Sequence, residues 1–307
     1  MYQAIHNYLL STPIFQTWEE PRRVVEKFIS MRPRDWRLPL LTCEAVCNSG
    51  EPGLAAASAL ACAQISIILV DDMLDDDPRG EFQKIGAGQT ANLASTFICA
   101  GQQAILHSRA SPEMKYSALQ VLNEMMQTVS YGQYLDLFPP QDEDTYWQIV
   151  ESKSGSFFGS AMRMGALFGG ASARTAKGLE CVGRIYGEMI QIHDDLHDTM
   201  ERPANPDWVQ KRSPLPILFA NLVDHPDRNR FIELCQNITV KGALEEAQEI
   251  IIRCGAVSYC VHQLIMKMER SHAILAGLNL KNMSILRSLL NEVVAPAQKL
   301  LDEINLN

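Results

Sequence analysis

Apolar residues recur at helical spacing along nearly the whole chain, and strand-like alternation bounded by turn residues is scarce. A chain patterned this way buries its apolar stripes helix against helix. The spacing predicts helices at about 2–10, 90–107, 112–137 and 173–199, then at about 227–236, 241–254, 255–276 and 282–304. Another begins at Tyr146–Val150, after the break at Pro139-Pro140 and the start signals of Asp142–Asp144. With no repeat, low-complexity tract or dividing linker, the expectation is one all-α domain, a single large helical bundle over 1–307.

At 307 residues, 47% apolar and 21% charged, the composition is that of an ordinary soluble globular protein. Polar and acidic residues interrupt every apolar run, so no membrane span or stable membrane anchor is expected. The N-terminal residues Met1–Asn7 lack the basic start and apolar core of a signal peptide, which makes a cytoplasmic location the default. Eight cysteines without a Cys-x-x-Cys pair read as small buried thiols in a reducing compartment. The net charge of −9 and the absence of a long basic stripe argue against nucleic acid as a partner.

One stretch stands apart. The apolar run Gln64-Ile65-Ser66-Ile67-Ile68-Leu69-Val70 ends in Asp71-Asp72-Met73-Leu74-Asp75-Asp76-Asp77. Asp71 and Asp75, four apart, share one helix face. Carboxylates at a helix C-terminus oppose its dipole. A pair about 4 Å apart also repels by about 1 kcal/mol in water and about 4 kcal/mol at an effective dielectric near 20. A hard divalent cation such as Mg²⁺ offsets that cost. A second apolar helix ends in the same way, at Gln191-Ile192-His193-Asp194-Asp195-Leu196-His197-Asp198. A single Asp-Asp-x-x-Asp reads equally as a solvated acidic helix end; two copies, each leaving an apolar helix, point to a metal site. His193 and His197 have zinc-ligand spacing, but the intervening glutamate and a third ligand are missing, so they read as partners of the neighbouring aspartates.

Basic residues punctuate the loops. Arg34, Arg37 and two prolines form a fixed basic segment, read either as a solvated loop or as an anion contact. Arg79 follows the first acidic cluster, Lys153 sits beside Gly155 as a buried or cavity-facing cation, and Lys211-Arg212 precede the next helix.

In order, Asp71-Asp72-x-x-Asp75, Arg79-Gly80, Gly132-Gln133-x-x-Asp136, Lys153-Ser154-Gly155, Gln191-x-x-Asp194-Asp195-x-x-Asp198 and Lys211-Arg212 before Leu215-Pro216 resemble the motifs of the trans-isoprenyl diphosphate synthases, over roughly 30–220. The resemblance implies an isoprenoid-synthase-type bundle around a central cavity and a homodimer. It implies three Mg²⁺ ions held by Asp71, Asp72 and Asp75 on one wall and Asp194, Asp195 and Asp198 on the other. Asp71, Asp75, Asp194, Lys153 and Gln191 would then be catalytic, and Arg79, Lys153, Lys211, Arg212, Arg34, Arg37 and Gln133 would hold substrate diphosphates. An allylic prenyl diphosphate would ionise, and isopentenyl diphosphate would attack the cation and lose a proton. Ser66 and Ile67, five and four positions before Asp71, would line the chain-length pocket and admit products of C15–C20 or longer.

Departures from the family pattern fall where the acceptor binds. Instead of Gly-Gly-Lys-Arg-x-Arg-Pro the chain has Arg34-Asp35-Trp36-Arg37-Leu38-Pro39, and Val70 and Gln102 replace a common His and Asp. Two other readings therefore stay open: a terpene synthase or prenyltransferase with a non-isopentenyl acceptor, and a non-catalytic partner subunit, against which the retained aspartates argue.

Overall fold

The computed structural model of the protein describes residues 1–305, and among these there is no strand. The main helices are α1 (Tyr2–Leu10), α2 (Glu19–Met31), α3 (Leu38–Cys47), α4 (Leu54–Leu74), α5 (Ala87–Leu106), α6 (Pro112–Asp136), α7 (Glu143–Val150), α8 (Ser156–Phe168) and α9 (Ala173–Met200), followed by α10 (Leu215–Leu222), α11 (Arg228–Gln236), α12 (Ala243–Arg253), α13 (Ala256–Ala276) and α14 (Ser284–Asn305). The predicted helices fall within a few residues of these bounds. Local chemistry explains several starts: Ser111, Asp142 and Ser172 each accept a hydrogen bond from a backbone N–H three residues on, at 3.3, 2.8 and 3.2 Å. The segment before Pro39 is ordered as a 3₁₀ turn, Arg34–Arg37, and Pro39 lies in the first turn of α3.

Helix α4 is the axis of the bundle. Ala55, Ala56, Ala59, Leu60 and Ala63 face a large core shared with α6, α8, α9 and α13. Ala57, Ala61, Cys62, Ile65 and Leu69 face a second core built by α1, α2 and α5. Because both sides are covered, the helix is apolar all round. Glu51–Leu74 is in fact long and apolar enough to cross a bilayer, with a mean hydropathy of 2.0, which corrects the expectation drawn from its interruptions. Of its most apolar 18-residue stretch 72% is buried among neighbouring helices, as a core helix must be.

Helix α9 approaches α8 and the turn before it closely. A Cβ on Gly183 would stand 2.5 Å from the carbonyl of Phe158, and one on Gly187 would run into the carbonyl of Ser154. The α7–α8 segment is not a regular helix at this point: Glu151–Gly155 makes a π turn. Such bulges frequently mark functional sites because they re-aim one side chain. All eight cysteines are free thiols; Cys43, Cys62 and Cys260 are buried, whereas Cys99 is exposed.

Candidate active site

The second acidic helix ends at a cavity of about 380 Å³, whose lining includes Asp136, Lys153, Gln191, Asp194, Asp195, Asp198, Asp207 and Arg212. The α4 wall reaches it through ion pairs. Arg212 Nη2 donates to Asp75 Oδ1 at 2.7 Å, and Lys153 Nζ lies 4.0 Å from Asp71 Oδ1 while hydrogen-bonding Asp136. Gln133 donates its side-chain N–H to Asp71. The carboxylate repulsion foreseen from sequence is thus partly offset by two cations, contributed by the π turn and by the loop before α10.

The π turn makes Lys153 possible. A Cβ on Gly132 would stand 2.8 Å from the Lys153 backbone nitrogen, so only glycine lets the turn approach α6 this closely. Lys153 keeps 23% of its side-chain surface exposed and points into the cavity.

The aspartates divide by helix phase. Asp71 is half-buried; burial raises its pKa, while Lys153 and the Gln133 N–H pull it down. Asp72 points about 100° away, toward Asp77, Lys27 and Arg79, and burial with its acidic neighbours pushes it up to about 6. Asp194 is 61% exposed, with His193 Nδ1 3.3 Å away. Asp198 is half-buried and raised, chiefly by burial.

Asp195 takes a different part from the metal-ligand role expected of it. It is 5% exposed, and both carboxylate oxygens are engaged within the protein. Gln191 Nε2 donates to Oδ1 at 2.8 Å, and Tyr146 O–H and the Leu215 backbone N–H each donate to Oδ2 at 2.7 Å. Gln191 is likewise used internally, accepting from Ser154 O–H at 2.9 Å. Burial drives the Asp195 pKa up to about 7 against those three donors. Its carboxylate therefore ties α9 to α7 and to the first residue of α10, fixing the loop that presents Arg212.

Other expected residues lie apart from this cleft. Arg79 is 86% exposed and bonds Asp77 through Nε and Nη2 at 3.1 and 2.9 Å. Lys211 is exposed, in a left-handed backbone conformation, and borders a separate 150 Å³ pocket. Arg34 is exposed, and Arg37 lines another cleft of about 330 Å³ against Leu41, Ser288 and Glu292. Ser66 is buried, and Ile67, one turn below Asp71, is half-buried against the main core.

Sequence reasoning passes over Asp207 and Tyr146. Asp207 lies in the segment read as a loop, on a four-residue helix (Pro206–Val209), and its pKa is raised by burial against the pull of Arg212. The aromatic Tyr146 reads as core; only the buried partner Asp195 reveals its hydroxyl's use.

Among the described residues no three Asp, Glu, His or Cys side chains enclose an ion by themselves. The donor set nonetheless suits Mg²⁺, which keeps several waters and is held by one or two carboxylates together with substrate phosphates. Only oxygen ligands line the cavity, and none is a cysteine or histidine.

Fold and site together define an all-α enzyme with an acidic, cation-edged cleft. The polyprenyl synthetase family model matches residues 30–251. A short chain isoprenyl diphosphate synthase of Methanothermobacter thermautotrophicus is 30% identical over 239 residues, covering 72% of this chain and 73% of that protein. A geranylfarnesyl diphosphate synthase of Aeropyrum pernix is 25% identical over 262 residues, 78% and 81% of the two chains. The geranylgeranyl pyrophosphate synthetase structure from Pyrococcus horikoshii shares the fold, with a TM-score of 0.80 over 95% of both chains at 20% identity. The chain belongs to the polyprenyl synthetase family and is a prenyltransferase.

Proposed function

We propose that the enzyme ionises an allylic diphosphate at the Asp71/Asp75–Asp194/Asp198 cleft and joins it to isopentenyl diphosphate, giving a trans-prenyl diphosphate of C15–C20 or longer. The observation that carries this reading is the placement of Lys153 and Arg212 between the two acidic walls. There they meet the charge that develops on a departing diphosphate. Asp71, Asp75, Asp194 and Asp198 would hold Mg²⁺, which when bound supplies Lewis acidity to the leaving group. Gln133 fixes the Asp71 carboxylate, and Asp195 fixes the Arg212 loop. One turn before Asp71, Ile67 would offer the allylic chain an apolar contact.

The names of the relatives, which span short-chain to octaprenyl synthases, support elongation without fixing a length. Self-association fits the charge-free sequence of α5, whose exposed Ala91, Ser95, Cys99 and Gln103 carry nothing that two copies would repel. A second reading, with an acceptor other than isopentenyl diphosphate, is favoured by one observation: Arg37 faces a cleft outside the carboxylate cavity.

The test is product analysis by chromatography and mass spectrometry after incubation with Mg²⁺ and geranyl, farnesyl or geranylgeranyl diphosphate, with and without isopentenyl diphosphate. Longer diphosphates only in its presence are expected. Hydrocarbon or alcohol formed from the allylic substrate alone would overturn elongation.

A further inference from the structure

Each cation of the cleft has two carboxylate partners, one on the first acidic wall and one outside both Asp-Asp-x-x-Asp motifs. Lys153 hydrogen-bonds Asp136 and stands 4.0 Å from Asp71. Arg212 has the same choice and leans the other way: Nη2 lies 2.7 Å from Asp75 Oδ1, and Nε lies 3.8 Å from Asp207 Oδ1. Asp136, Lys153, Asp207 and Arg212 all line the cavity.

The Arg212–Asp75 bond crosses the cleft, from the loop before α10 to the residue that caps α4. A divalent ion on the same carboxylate would stand about 5 Å from the guanidinium, where the two cations repel. One must yield. A guanidinium that leaves a part-buried partner needs another acceptor, because a charge left unpaired there is costly. Asp207 lies within a side-chain rotation. The backbone closes the turn between them, with the Arg212 N–H donating to the Asp207 carbonyl at 2.9 Å, so the Asp207 carboxylate is left to serve the guanidinium.

On the reading that Asp75 is a metal ligand, we propose that Arg212 is its resting counter-cation and turns from Asp75 to the diphosphate when substrate binds. Asp207 is the positioning residue that retains Arg212 during the exchange. Metal and diphosphate therefore arrive together, and a divalent ion alone binds the first acidic wall weakly.

Mn²⁺ stands in for Mg²⁺, and its binding to the diphosphate-free enzyme is read from the electron paramagnetic resonance of the free ion. Arg212→Gln is expected to hold its tightest Mn²⁺ about tenfold more strongly than wild type, the scale of one charge-assisted hydrogen bond that no longer has to break. Lys211→Gln removes a neighbouring charge without touching Asp75 and should change the affinity by less than about twofold. Asp207→Asn should weaken Mn²⁺ binding by about threefold in the wild type, where Arg212 loses its second carboxylate, and by less than about twofold once Arg212 is Gln. Asp207→Ser takes its place should the Asn variant not fold. No tightening in Arg212→Gln would overturn the proposal, as would an equal effect of Asp207→Asn in both backgrounds, which marks Asp207 as a metal ligand itself. Asp75→Asn, made in the Arg212→Gln protein, tests the underlying reading separately. Weaker Mn²⁺ binding there, with no tightening from Arg212→Gln alone, leaves the metal ligand standing and the exchange refuted. If Asp75→Asn changes nothing there, Asp75 holds no metal and both fall.

Discussion

Replacing Asp195 with Asn tests how the cleft is held together, and its effect depends on pH in a calculable way. The carboxylate is buried, accepts three hydrogen bonds, and has its pKa pushed up to about 7 by burial. In the unfolded chain an aspartate titrates near 3.9. Between these values the folded protein holds a proton that the unfolded chain has already lost. The stability Asp195 contributes is therefore fully present at low pH and is lost as pH rises through about 7. Integrating that difference gives a loss of about 2.5 kcal/mol between pH 5 and pH 8. Asn does not titrate and lacks this term. It also leaves at least one of the three buried donors without an acceptor, at a cost of about 1–3 kcal/mol. Guanidinium unfolding of the metal-free protein at pH 5, 6, 7 and 8 measures both effects. The wild-type advantage over Asp195→Asn is expected to shrink steadily with rising pH. Parallel pH profiles for the two proteins would refute the buried, three-donor account of Asp195.

The remaining expectations separate residues that sequence alone groups together. Arg212→Ala should lower kcat/KM for the allylic diphosphate by about a hundredfold, the scale of a lost donor to developing charge. Arg79→Ala, on an exposed pair with Asp77, should change it by less than about twofold. Gly132→Ala forces the π turn away from α6; a loss of about 1–3 kcal/mol on thermal or denaturant unfolding, with a raised KM from the displaced Lys153, is expected. Asp71→Asn and Asp75→Asn should each raise the Mg²⁺ concentration at half-maximal activity, whereas Asp72→Asn, facing the other way, should leave it in place; equal shifts at all three positions would contradict the division by helix phase.

The helices were legible in the sequence because burying one stripe of each helix imposes a 3.6-residue period that the chain repeats almost without interruption. The two acidic ends were legible because aspartates are conspicuous after apolar runs such as Ile65–Val70. Adjacency in sequence does not say which carboxylate faces the cavity, however. Asp71 and Asp72 differ by one residue and about 100° of rotation, and Asp195 turns inward where Asp194 turns outward. Phase also shifts at the π turn, which no propensity announces, so Lys153 was foreseen as cavity-facing without its dependence on Gly132. Motif order also does not show that Arg79 pairs with Asp77, two residues away. Asp35 and Asp207 lie in short turns, where no periodicity marks burial, and part of their surroundings comes from distant helices, such as Gln64 beside Asp35.

The most direct test of the central claim is a crystal structure of the enzyme with Mg²⁺ and an unreactive thio analogue of an allylic diphosphate. The account predicts metal ions on Asp71 and Asp75 and on Asp194, with the diphosphate reached by Lys153 and Arg212 and the hydrocarbon chain running past Ile67. A diphosphate bound at Arg79 or Lys211, or metal on Asp72 or Asp195 in place of these ligands, would contradict it.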